Sequence, residues 1–322
     1  MFSVLNVALE NTLEQLETGY YRLFGAEKKH YLTFLVSAAE AIIQQLANST
    51  ALYHNAEHTI LVTLVGQEIL HGKQALENNV SPEDWLHYLL ALLCHDVGFL
   101  RGVCEKDNIR RNLYRTGQGN AVIHLPMGCT DASLNQFHVD RSQQFVAEFL
   151  QQRGPVVLKA PRRNNLDIDV ARIQAYIELT RFPVPEGWRY EQTGDYPGLT
   201  RAADLIGQLS DPLYLQKTTA LFYEFEETGA NKHLGYQYPD DVWMNYPQFF
   251  RNVVYPYLGE GLHYLSMTIS GQEILEQLYD NVITAEHRKR ERLGNLPPVH
   301  NGEKSNLNAP HKTEVISRLN HE

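Results

Sequence analysis

Cysteine is scarce in this chain: Cys94, Cys104 and Cys129 are the only three in 322 residues. Three cannot all pair with one another, and their spacing is not that of a zinc knuckle, so a disulfide framework is excluded and a cytoplasmic setting is expected. Long apolar runs are missing too. None reaches the ~18 residues that a spanning helix needs, so no membrane association is expected. There is no basic block. Lysine and arginine total 28 against 38 aspartates and glutamates, a net charge of −10, which counts against duplex nucleic acid as a partner. The opening segment MFSVLNVALENTLEQLE has no basic stretch and carries Glu10, Glu14 and Glu17, so a signal peptide is not expected. A glycine-rich phosphate loop and sustained strand alternation are also lacking. Apolar residues make up 43% and charged residues 20%, ordinary globular usage with enough for a sizeable core. Fourteen histidines are the one unusual excess.

Helical periodicity dominates what remains. Apolar positions recur at spacings of three and four over residues 31–47 and 56–71. Ser81-Pro82-Glu83-Asp84 reads as a helix start, with a serine cap, proline in the first turn and acids at the positive end. Residues 133–152, 168–181, 213–228 and 271–291 read as further helices, and 97–131, 154–166 and 182–199 as irregular stretches. The fold expected is all-α, a single helical domain over residues 1–292. The polar, proline-bearing stretch 293–322 reads as a disordered tail.

Three segments carry the chemistry. The first is Tyr53-His54-Asn55-Ala56-Glu57-His58, in which His54 and His58 would share a face if both lay on one helix. The second is His95-Asp96-Val97-Gly98-Phe99, at the end of the helix that starts near Trp85. The third is Ala202-Ala203-Asp204-Leu205, read as opening a later helix. Imidazole nitrogens and carboxylate oxygens together suit Zn²⁺, Mn²⁺, Fe²⁺ or, with more water, Mg²⁺.

A histidine, a His-Asp doublet and a distant aspartate in a helical chain resemble the HD-domain metal-dependent phosphohydrolases. The Tyr-His-Asn-x-x-His opening is similar, more narrowly, to the class I cyclic nucleotide phosphodiesterases. Spacings of 37 residues from His58 to His95 and 108 from Asp96 to Asp204 are similar too, as is the late segment from Phe249 to Pro256. The likeness covers about residues 50–265. The resemblance implies an HD-type helical bundle, two divalent cations, and a phosphoester substrate, a nucleotide or cyclic nucleotide among them. It implies that His58, His95, Asp96 and Asp204 hold the first metal. Asp96 would bridge to the second, a bridging hydroxide would attack phosphorus, and His54 would protonate the leaving oxygen. Tyr53, Arg101, Tyr246, Gln248 and Phe249 would be the substrate-side residues. Tyr246 stands where that family has its purine-clamping glutamine, with Gln248 nearby. The His-Asp-x-Gly run followed by Arg101-Gly102 is closer to bacterial HD phosphohydrolases, some of which hold a second metal with extra histidines. His124 and His138 are the candidates for that role here.

Blander readings stand beside these. His54 and His58 would also suit a capped helix start, and Asp204 and Asp211 would suit helix caps. Cys94 would serve as a small buried hydrophobe, and Arg101 would equally suit a surface salt bridge in place of a phosphate contact. The aromatics between Tyr236 and Tyr257 suit core packing as well as base stacking. Two other functions remain open: a non-catalytic nucleotide-binding domain, and a metallopeptidase, because His54-x-x-Glu57-His58 matches the inverted zincin pattern.

Overall fold

The computed structural model describes residues 4–157 and 168–294. Its helices are α1 (Val4–Phe24), α2 (Lys29–Leu46), α3 (Ala56–Glu77), α4 (Pro82–Cys94), α5 (His138–Val157), α6 (Val170–Glu178) and α7 (Trp188–Glu191). They continue with α8 (Tyr196–Leu209), α9 (Tyr214–Thr228), α10 (Ala230–Leu234), α11 (Pro239–Phe249), α12 (Gly259–Leu265) and α13 (Ile269–Gly294). The fold is all-α. The described residues up to Arg288 make up one compact unit. The tail expected from 293, and most of the irregular stretch expected at 154–166, lie outside the described residues. No helix among the described residues is long and apolar enough to cross a membrane.

One departure from the expected pattern is a small hairpin, β1 (Leu113–Arg115) against β2 (Val122–His124), antiparallel with Tyr114 opposite Ile123. Three-residue strands are too short to show an alternation, so periodicity misses them. The stretch 182–199 is also less irregular than expected, since α7 and the start of α8 fall inside it.

Helix α4 is the centre of the bundle. Every residue from Trp85 to Cys94 is 2% exposed or less, and α2, α3, α6 and α8 pack around it. Its start has the expected chemistry. Ser81 Oγ accepts the Asp84 N–H at 3.1 Å, and Asp84 Oδ2 accepts the Ser81 N–H at 3.0 Å, a reciprocal capping box. A helix buried on all sides has a fixed end point, and that end is His95.

Two glycines bring other elements up to this point. A Cβ on Gly207 of α8 would lie 2.7 Å from the Val62 Cα of α3. Gly207 is three residues past Asp204, and Val62 four past His58, so the close crossing lies one turn from both. A Cβ on Gly98 would lie 1.9 Å from the His138 carbonyl oxygen and 2.7 Å from the Ser142 nitrogen. The bare backbone therefore lets the His-Asp loop rest on the first turn of α5. Gly207→Ala should force α8 away from α3, at a cost of about 1–3 kcal/mol. Thermal unfolding checks the stability loss, and titration with Mn²⁺ should show weaker binding, because Asp204 moves with α8.

A buried ion pair fixes the loop after the doublet. The Arg141 and Asp107 side chains are fully buried and 3.0 Å apart. Arg141 also donates to the carbonyls of Gly98 (2.6 Å), Leu100 (2.7 Å) and Arg115. A guanidinium with its donors spent on backbone carbonyls and one carboxylate ties the irregular segment to α5.

Candidate metal centre

The local sequence explains how each side chain arrives. Asn55 Oδ1 accepts the Glu57 N–H at 2.9 Å and caps α3. His58 is therefore in the first turn of α3, and His54 precedes the helix. The two histidines do not share a helix face, contrary to the simple spacing argument. At the end of α4 the Leu92 carbonyl has no helical donor. It accepts the His95 Nδ1–H at 2.7 Å, which turns Nε2 toward the site. Asp204 lies mid-way along α8, with Asp195 as the cap of that helix. It neither opens the helix nor caps it.

His58, His95 and Asp96 bring their ligand atoms within 4.8 Å of one another, and Asp204 lies against both imidazoles. His58 Nε2 is 3.3 Å from Asp96 Oδ2 and 3.2 Å from Asp204 Oδ1. His95 Nε2 is 3.2 Å from Asp96 Oδ2 and 3.4 Å from Asp204 Oδ1. The two Nε2 atoms are 3.4 Å apart. Ligands bonded at ~2.1 Å to one cation stand about 3.0 Å apart at right angles and about 3.4 Å apart at a tetrahedral angle. All five separations fall in or close to that interval.

The chemistry of the donor set fits a cation. Asp96 Oδ2 is buried and accepts no hydrogen bond, although two imidazole nitrogens lie beside it. Atoms that close without donor-to-acceptor alignment are aimed at a shared point rather than at each other. Burial alone would push the His58 and His95 pKa values down, but the Asp96 and Asp204 carboxylates override it and raise both. Burial would raise the carboxyl pKa values, and the imidazoles instead hold both below the usual range. The cluster is short of positive charge, and a divalent ion supplies it without protonating the ligands.

His54 is beside this cluster and is held by a different partner. Its Nδ1–H donates to Glu224 Oε2 at 2.5 Å. Glu224 Oε1 accepts the backbone N–H of Tyr53 at 2.6 Å and of His54 at 3.2 Å. Burial works against the charged imidazole, yet the Glu224 charge and hydrogen bond raise its pKa to about 9. Tyr53 is buried with its ring centroid 5.6 Å from that of His58. His138, the first residue of α5, donates through Nδ1 to the Asn135 carbonyl and sets Nε2 3.8 Å from Asp96 Oδ1. Asp96 thus faces the His58–His95 pair with one oxygen and His138 with the other.

The remaining sequence candidates are placed elsewhere. His124 is exposed at the end of β2, opposite Leu113 in the hairpin, and among the described residues the close ligand group is His58, His95 and Asp96. Arg101 is committed: Nε donates to Asp131 Oδ1 (2.8 Å), Nη1 to the Cys129 carbonyl (3.0 Å) and Nη2 to Thr50 Oγ1 (3.1 Å). A guanidinium spent in this way braces a loop and has little left for a phosphate. Tyr246 is 1% exposed and packs edge-on against Tyr214 in the main core. Gln248 is exposed, and Phe249 is half-buried, edge-on to Phe182. Cys94 is buried as expected, with its thiol pKa pushed up by burial. Glu57 is exposed and 2.8 Å from Lys217. It does not face the cluster, and His54 is turned to Glu224, so the inverted zincin arrangement is not assembled.

Sequence reasoning missed Glu224. The signal was its phase, since it falls three residues after buried Leu221 on α9 and so continues the inward stripe.

A sequence model of a family described as Npun_R2479-like matches residues 2–288. The chain belongs to that family. No curated protein matches it. The Npun_R2479-like match spans all four converging side chains, His54 and Glu224. Its description names no chemistry, so any functional reading rests on the site itself.

Proposed function

We propose that this protein is a metal-dependent phosphohydrolase that cleaves a phosphoester, with nucleotide and cyclic nucleotide esters as the substrate class. The observation that carries the reading is the pairing of two different histidine environments. His58 and His95 turn Nε2 to a common point with Asp96 and Asp204, whereas His54 stands beside that point and is held by a carboxylate. A centre that only stabilised the fold would have no use for a separately oriented imidazole.

His58, His95, Asp96 and Asp204 would hold the first cation, with Asp96 Oδ1 and His138 Nε2 on the side of a second. Bound there, divalent cations neutralise phosphate charge and lower the pKa of water. The residues of this chain do the rest. Asp96 and Asp204 fix the position of the phosphate by fixing the charge it seeks. Glu224 keeps the His54 proton on Nδ1 and stabilises the doubly protonated ring, so that Nε2–H is available to donate to the leaving oxygen. Tyr53 packs beside His58 and His54 and closes that side to water.

The reading is tested by incubating purified protein with Mn²⁺, Mg²⁺, Co²⁺ or Ni²⁺ and a panel of phosphomonoesters and phosphodiesters. Hydrolysis that chelation removes is expected; no turnover with any metal or ester would overturn it. Glu57→Gln should stay within about threefold of the parent, since Glu57 faces solvent and Lys217.

Glu224→Gln has a signed pH effect. A general acid works while protonated, so rate falls as pH rises through the His54 pKa. Glu224 raises that pKa, so removing its charge lowers it. The alkaline limb of kcat/KM should move to lower pH, and the loss at pH 9 should exceed the loss at pH 6. A uniform loss across pH would show that Glu224 only supports the fold.

A further inference from the structure

The Phe99 ring lies three residues past Asp96 and is 1% exposed. It is stacked on the His54 imidazole at 4.5 Å between centroids and 13° between planes. It is stacked on the His138 imidazole at 4.4 Å and 20°. Two imidazoles cannot both stack at these distances on one face of a six-membered ring, so they occupy opposite faces. Each ring makes one short side-chain hydrogen bond, His54 to Glu224 and His138 to the Asn135 carbonyl, and its other neighbours are edge-on or lateral: Tyr53 and His58 for His54, and Asp96 for His138. One hydrogen bond at Nδ1 leaves a ring free to swing about that bond. A parallel aromatic face removes the swing.

We infer that Phe99 is a positioning residue that holds His54 and His138 in parallel planes on either side of the Asp96 loop, so that both Nε2 atoms face the centre without meeting each other. The inference rests on the phosphohydrolase reading for its catalytic consequence, but its structural content is independent of any substrate. It explains why an apolar ring stands between two imidazoles so near the bottom of a polar site. Phe99 acts through the two histidines and makes no claim on substrate. Gly98 contributes by allowing the loop to sit against His138 closely enough for the stack to form.

The test compares Phe99→Leu with Phe99→Trp in the full chain. Two-bond ¹H–¹⁵N spectra of the Mg²⁺- or Zn²⁺-loaded protein report the protonation pattern and order of each ring nitrogen. In the parent, His54 and His138 should each give one sharp pattern. In Phe99→Leu both should broaden or split while His58 and His95 stay unchanged, and Phe99→Trp should restore sharp patterns. Calorimetric titration with Zn²⁺ should find the first equivalent bound within about threefold of the parent, because its four ligands are untouched. On an alkyl phosphodiester, Phe99→Leu should lower kcat by about tenfold or more, with KM little changed. Where leucine prevents folding, Phe99→Met supplies a ringless side chain of similar volume. Unchanged His54 and His138 spectra in the ringless variant would overturn the inference, as would failure of tryptophan to restore them. Spectra that change as stated in a protein that hydrolyses no ester would retain the inference and overturn the phosphohydrolase reading.

Discussion

Asp96→Ala is expected to lose metal and activity together, and to do so without unfolding the protein. Asp96 is the one side chain that addresses both sides of the centre, with Oδ2 toward His58 and His95 and Oδ1 toward His138. On the phosphohydrolase reading, removing it would leave the first cation with three ligands and deprive a second of its carboxylate. Cation stabilisation of a phosphoryl transition state is worth several kcal/mol, so kcat/KM should fall by about 10³-fold or more. In the metal-free protein the imidazoles hold Asp96 well below the usual carboxylate range, so its charge is favoured in the fold and its removal should lower stability. The check is thermal unfolding with Mn²⁺ and with chelator. A ligand at 100 times its Kd stabilises by ~2.7 kcal/mol, so the parent should lose several degrees on chelation. Asp96→Ala should show almost no difference between the two conditions. A variant that still gains stability from Mn²⁺ would place the metal elsewhere.

The bundle was legible wherever a helix carries its own boundary signals. Ser81 and Asp84 fix the start of α4, and the apolar stripe of α2 marks its buried face. Both are local, and local chemistry survives into the fold. The hairpin at 113–124 was not legible, because its strands are three residues long and β1 is tied through Arg115 to Arg141, a residue distant in sequence. The convergence of His58, His95, Asp96 and Asp204 was suggested by spacing and resemblance. Its physical cause lies partly outside the motif: Gly207 lets α8 close on α3, while Gly98, within the motif, lets the doublet loop rest on α5. Glu224 was hidden because an acid among Glu226 and Glu227 looks like solvated helix surface until its phase is compared with Leu221. Arg101 was open between a phosphate contact and a salt bridge. A guanidinium just past a His-Asp doublet suits a phosphate, but Asp131, Cys129 and Thr50 claim its donors first.

His54→Ala is the substitution that separates proton donation from metal binding. His54 hydrogen-bonds Glu224 and is not one of the converging ligands, so the variant should bind Mn²⁺ as the parent does. Its rate loss should depend on the leaving group. General acid catalysis is typically worth ~10²–10⁴-fold where the departing oxygen is a strong base. A ribose alkoxide is such a base and needs the proton as the bond breaks. A nitrophenolate is already stable as an anion and hardly needs it. Loss on a nucleotide-type ester should therefore reach two or more orders of magnitude, and loss on a nitrophenyl ester should be much smaller. The ratio of the two losses is the informative quantity, because a general disturbance of the site would lower both alike. Equal losses with full metal content would make His54 a residue that positions substrate. Loss of metal in His54→Ala would make it a ligand, and the separation of the two histidine environments on which the phosphohydrolase reading rests would fail with it.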